Sequence, residues 1–327
     1  MRRNGWTLVA AIAVLFLATT LMAAPAASPW GANYFPNIAL TTQDGKTVHL
    51  WDDLLKDKKV IINFIYTECS ASCPLETAKL VQVQNILKDR LGKDIFFYSI
   101  TLDPKRDTPA VLKAYAAKFH TKPGWLFLTG KKEDIELVRK KFGLAAASFQ
   151  NELTDHSTRL TIGNGATGQW MQDGAMDDPR YIAMMAGDWL SSWKNHPKGE
   201  SYTKAQPVEG ASDKGLYLFK TRCSACHTVG KGDGIGPDLA GVTAARDHAW
   251  LARFLTAPDE VLESKDPIAT ALYIKYKKIK MPNLKLGEKD VTALIKYLTE
   301  NGSTKPSHAA EAAPKSVGGG AASSRLQ

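Results

Sequence analysis

The chain has 327 residues, of which 44% are apolar and 23% charged, the ordinary balance of globular protein. That length accommodates two domains, each with its own core. The formal charge of +9, from 42 basic and 33 acidic side chains, suits an acidic partner or an anionic membrane surface; with no nucleic-acid motif and no basic helix, the sequence gives no support for nucleic acid.

The chain opens with Arg2 and Arg3, an uncharged apolar run "TLVAAIAVLFLATTLM", and the small-residue segment "AAPAAS". This is a secretory signal over residues 1–26, with cleavage after Ala26, or an uncleaved anchor. Both place the folded part outside the cytoplasm, in the periplasm, where cysteines oxidise unless protected. Residues 30–195 then alternate strand and helix. "NIALTTQDGKTVHL" predicts a hairpin turning on Asp44-Gly45, and "KKVIINFIYT" a buried central strand. "CPLETAKLVQVQNILKDRLG" has helical spacing, with Leu75, Leu80, Val83 and Leu87 on one side and Gly92 as its stop. "DIFFYSITLD" is a second buried strand. "DTPAVLKAYAAKF" is a helix capped by Asp107 or Thr108 with Pro109 in the first turn. "GWLFLTG" is strand-like and "KKEDIELVRKKFG" helical. "STRLTIG" and "GQWMQ" pair as strands, and "DPRYIAMMAGDWLSSW" closes the domain as a helix. The class is α/β. Residues 196–211 are a polar linker, residues 212–302 a mostly helical second domain, and residues 303–327 a low-complexity tail that reads as disordered. In the last helix Val291, Leu294, Ile295 and Leu298 share one face.

The four cysteines form two pairs. Cys223 and Cys226 stand in C-x-x-C-H, the spacing that lets two thiols add to a haem's vinyl groups while His227 ligates the iron. Past Met185 the chain has a single methionine, Met281, which supplies a sixth ligand; His248 is the competing candidate. A Met-ligated haem has no open position for substrate, so the chemistry is electron transfer. This region resembles a small class I cytochrome c. "GDGIGPDLAGV" is similar to that family's haem loop, where the resemblance implies that the Pro237 carbonyl accepts from the proximal histidine. "MPNLKLGEKDVTALIKYL" is similar to its Met loop and closing helix. Lys278, Lys280 and Lys285 then surround the haem edge. The resemblance implies one covalently held haem c and a redox partner.

Cys69 and Cys73 are spaced C-x-x-x-C between a buried strand and a helix opened by Pro74. That is where α/β sheets place ligands and where a helix dipole favours thiolate. A disulfide here closes too short a loop to stabilise much. Two uses stay open on the residues alone: a dithiol redox couple, or a metal site completed by imidazole, with His49, His120 and His156 as the histidines on offer. Met176, Met184 and Met185 have the spacing of core residues.

The segments "VIINFIYTECSASCPLETAKL", "SITLDPKRDTPAVLKAYAAKF" and "TDHSTRLTIGNGATGQW" resemble the Sco/SenC family of copper chaperones. The resemblance implies a thioredoxin-like fold and one copper, Cu(I) or Cu(II), held by Cys69, Cys73 and His156. It also implies delivery to the CuA site of a haem-copper oxidase, with Asp103 and Asp107 on the docking surface. Glu68 and "GNGATG" depart from the family's pattern around this motif. The alternative function is a periplasmic thiol-disulfide oxidoreductase that uses Cys69 and Cys73 catalytically and passes electrons to the haem domain. The sequence as a whole reads as a thioredoxin-like α/β domain followed by a small all-α cytochrome c domain, with the membrane reached only through the N-terminal segment.

Overall fold

The computed structural model describes residues 29–69, 72–144, 158–191 and 213–302. The signal segment, the linker, the tail and His156 lie outside the described residues. Among the described residues, no helix is long and apolar enough to cross a membrane.

The first unit is built on a seven-stranded sheet. Its strands are β1 (Ala39–Thr42), β2 (Thr47–His49), β3 (Lys59–Ile65), β4 (Ile95–Thr101), β5 (Trp125–Thr129), β6 (Arg159–Asn164) and β7 (Gln169–Gly174). Their order is β2-β1-β5-β4-β3-β6-β7. β3, β4 and β5 are parallel, and β6 runs antiparallel to β3 with Ile62 opposite Thr161. The continuous apolar run of β3 has a simple cause, since both faces of the sheet are covered. Ile61 and Ile65 enter one core cluster; Val60, Ile62 and Phe64 enter the other. The β1–β2 hairpin turns at Gly45, whose φ of 78° is the left-handed backbone glycine tolerates best.

Helix α1 (Cys73–Leu87) follows β3, α2 (Pro109–Lys118) follows β4, α3 (Lys132–Lys141) follows β5, and α4 (Pro179–Gly187) follows β7. Thr108 caps α2 by accepting from the Val111 N–H, which leaves Asp107 with another role. α1 is not the amphipathic helix its spacing predicts. Every residue from Cys73 to Leu80 is buried, because α4 covers one flank and the second unit covers another. It also ends at Leu87 through Lys88, ahead of Gly92.

The second unit is all helical: α5 (Lys214–Leu218), a π-type turn over Phe219–Cys223, α6 (Val242–Ala245), α7 (His248–Thr256), α8 (Pro258–Glu263), α9 (Pro267–Lys275) and α10 (Glu288–Asn301). Leu218, Phe219, Leu251, Leu255, Leu294 and Leu298 form its core. α5 crosses α10 so closely that a Cβ on Gly215 would stand 2.2 Å from the Ala293 carbonyl oxygen. The molecule is thus a thioredoxin-like α/β unit followed by an all-α unit.

Candidate functional site

β3 carries the chain to Cys69 and α1 takes it up at Cys73. No disulfide joins the two thiols, and both are buried, at 3% and 0% exposure. The Cys73 N–H points at Cys69 Sγ, 3.4 Å away, as a helix N-terminus directs its first amides at an anion. Burial pushes the Cys73 thiol well above its ordinary value, helped by a hydrogen bond with Cys69 and the charge of Glu76. A backbone hydrogen bond at Tyr66 pulls the Cys73 thiol the other way, but burial outweighs it. Burial, then the Cys69 charge and a hydrogen bond with Cys69, likewise raise the Tyr66 phenol. Thr77 Oγ1 donates to the Cys73 carbonyl at 2.8 Å and meets Tyr115 Oη at 3.0 Å, fixing the first turn of α1. Tyr66 and Tyr115 carry no signal in the local sequence, since their neighbours come from other elements.

The loop between β3 and Cys69 is held from behind by Asp107. Its carboxylate accepts from Thr67 N at 3.1 Å, Thr67 Oγ1 at 2.5 Å and Thr101 Oγ1 at 2.5 Å. At 1% exposure this side chain is neither a helix cap nor part of a docking surface, which corrects both expectations. Asp103, half-buried, pairs with Arg106 at 3.5 Å. The antiparallel register starts β6 at the end of the sheet where β3 finishes; His156 precedes the described part of that segment. His49 is exposed against Asp53. Met185 is in the core and Met184 packs against it. Among the described residues, no group of three His, Cys, Asp or Glu side chains is placed to hold a metal.

In the second unit a crevice of about 700 Å³, mouth included, is lined by Cys226, His227, Ile235, Phe254, Leu272 and Met281 among others. Its lining is mostly apolar, with the His227 ring as a convergent polar group, which suits an apolar ligand. The His227 ring stands 2.9 Å through Nδ1 from the Pro237 carbonyl oxygen, so Nδ1–H donates there and Nε2 is the nitrogen left for a metal. Burial pulls His227 below its ordinary value, which favours the neutral, ligating ring. A Cβ on Gly236 would stand 2.7 Å from His227 Cε1; only glycine leaves the imidazole its place. The donor set and cradle fit a haem held by Cys223, Cys226, His227 and Met281. His248 is exposed at the start of α7 and does not line the crevice.

The two sites meet. Pro74, one residue past Cys73, is part of the crevice wall. Ala225, Cys226, Ile235 and Ile279 pack against the core cluster that contains Cys69 and Cys73. Gln82 Nε2 donates to the Ser224 carbonyl at 3.2 Å, and Lys277 Nζ lies 3.1 Å from His120 Nε2. Burial, then the charge of Glu68, raise the Tyr273 phenol across the same contact.

Fold and sites define a two-unit protein, a thioredoxin-like thiol domain followed by a helical domain with a haem crevice. Residues 30–184 match the SCO1/SenC family model and residues 212–301 match the cytochrome c model; the chain carries a SCO1/SenC domain followed by a cytochrome c domain. It is similar to the SCO2-like protein of Rickettsia felis, 37% identical over 134 residues, which are 38% of this chain and 63% of that protein. The chain thus spans less than two thirds of that relative's length. Among solved structures it is similar to yeast Sco1 with copper bound, 27% identical with a TM-score of 0.39, covering 51% of this chain and 92% of that one. It is also similar to the cytochrome c domain of the pp3183 protein from Pseudomonas putida, 52% identical with a TM-score of 0.25, covering 26% of this chain and 85% of that one.

Proposed function

We infer that this protein is a periplasmic copper-binding protein of Sco type that carries one haem c as a tethered electron-transfer group. Its copper is cargo, taken up by Cys69, Cys73 and His156 and delivered to an acceptor such as the CuA site of a haem-copper oxidase. The observation that carries the reading is the convergence of two buried sulfurs at the end of β3, with the Cys73 N–H aimed at Cys69. Two soft thiolates with an imidazole suit copper, and yeast Sco1, a similar protein, has been crystallised with copper bound. Burial favours charge-compensated sulfur: Cu(I) relieves the cost of deprotonating Cys73 in a dry site.

In the second unit Cys223 and Cys226 would tether the haem, and His227 and Met281 would be its axial ligands. Pro237 orients the His227 ring, and Gly236 leaves room for it. The haem, when bound, supplies one-electron transfer.

Titration of the full-length protein with Cu(I) against a competing chelator tests the copper reading. The expected result is one copper per chain, with affinity lowered more than about 10-fold by His156→Ala or Cys69→Ser. Weak binding that His156→Ala leaves unchanged overturns it. The second reading is the thiol-disulfide oxidoreductase. The hydrogen bond between the two sulfur side chains favours it, since it places them within reach of each other.

A further inference from the structure

Haem crevices and thiol sites both need an opening to meet their partners, yet in this chain each opening faces the other. The cytochrome side of the contact consists of the haem-motif turn with Ser224, Ala225 and Cys226, the loop at Ile235, and the segment from Tyr273 to Ile279. On the thiol side it consists of Glu68, Pro74, Gln82 and His120. These four come from the loop before α1, from its first turn, from its third turn and from just past α2, so the contact runs along the flank of α1, from Glu68 and Pro74 beside the Cys69/Cys73 pair to His120 next to Gln84 further down the helix. The middle of the contact is apolar and its rim is polar, the anatomy of a specific protein–protein interface.

The rim ties are of the kind that separates readily. Gln82 to Ser224 is a single neutral hydrogen bond, and Lys277 to His120 is an exposed contact worth little in water. Contacts between domains of one chain resemble transient interfaces, and relative motion is their ordinary behaviour.

We propose that the cytochrome unit is a seated cap on the Cys69/Cys73 face: the contact through Pro74, Gln82 and His120 closes that face to protein-sized partners, and a copper acceptor reaches it only when the two units part. Docking of the helical unit and docking of an external acceptor are then alternatives on one surface. The first keeps the copper–thiol site beside the haem crevice; the second is the state in which cargo leaves. The cap rests on the copper reading for its purpose but not for its existence, because the geometry involves protein atoms alone.

Thiol accessibility in the copper-free, haem-loaded, full-length protein tests it. With Cys223 and Cys226 bound to haem, Cys69 and Cys73 are the only thiols in the sequence left to react. The probes are iodoacetamide, which is small, and a bulky polyethylene-glycol maleimide. The variant His120→Lys sets two cations against each other across the contact, and His120→Lys with Lys277→Glu restores attraction. In the parent protein the bulky reagent reacts far more slowly than the small one, beyond their difference on a denatured control. His120→Lys raises the bulky rate about two- to fivefold, the scale of one exposed charge contact, and leaves the small rate nearly unchanged. The double variant returns the bulky rate to the parent value, which excludes misfolding as the cause. Equal size dependence in the parent and the denatured protein overturns the cap, as does a bulky rate that His120→Lys does not move. Neither outcome involves copper, so failure of the cap and failure of the copper reading are separate results.

Discussion

Asp107 shows how much one side chain can hold. It accepts three hydrogen bonds from two threonines on different segments, and burial raises its carboxyl above the ordinary value while those bonds lower it. Asp107→Ala would leave the Thr67 N–H and the Thr101 hydroxyl without their acceptor, at a cost of about 2–4 kcal/mol. Urea denaturation measures this, and a loss under about 1 kcal/mol would mean the loop re-pairs with water. Asp173 makes a pH prediction. Burial, then the hydrogen bond with Asp177, raise it to about 6 from 3.8. The folded chain therefore binds this proton more tightly than the unfolded chain, and stability falls as pH rises between those two values. In Asp173→Asn the thermal midpoint should vary less with pH across that window and lie above the parent's at pH 7. The sequence offered a motif around Asp107 but not its partners, because Thr67 reaches it from the turn after β3 and Thr101 from the last residue of β4. Cys69 and Cys73 were legible because their spacing alone narrows the chemistry.

At the scale of elements, runs with one strong cause were readable. β3 and β4 are continuous apolar segments because both sheet faces are covered, and α10 shows its buried face as Val291, Leu294, Ile295 and Leu298. The short helices α6 to α9 were covered only by the expectation of a helical domain, since a few turns each give periodicity little to act on. α1 misled for a tertiary reason. Its first two turns, with Glu76 and Lys79, are buried by neighbours that a local pattern does not contain. Gly215 is an element-scale prediction: Gly215→Ala drives a methyl group into the Ala293 carbonyl and must push α5 off α10, costing about 1–3 kcal/mol. Helical circular dichroism on heating reports it, and an unchanged midpoint would show that the crossing has slack.

For the whole molecule, the domain order was legible and the contact between the units was not. Gln82, His120 and Lys277 carry no pattern that links them, and nothing in one sequence pairs residues from separate domains. The contact predicts shared dynamics. In hydrogen exchange followed by mass spectrometry, His120→Lys should speed the amides of residues 75–80 and of residues 224–227 together, while Ile61–Ile65 in the sheet keep their protection. Faster exchange in one unit only would contradict a common interface.

Cys226 sits on both sides of that interface, lining the crevice while packing against the cluster of the other thiol pair. On the proposed haem attachment, whatever joins the group to this thiol must reach it, and α1 stands in the way once the units close. Biogenesis of the chain then has a direction: the helical half is completed while it stands apart, and closure comes last. A chain that closed early would be an assembly dead end, with four unprotected cysteines gathered in one neighbourhood, a hazard in the oxidising compartment that the proposed function assigns to it.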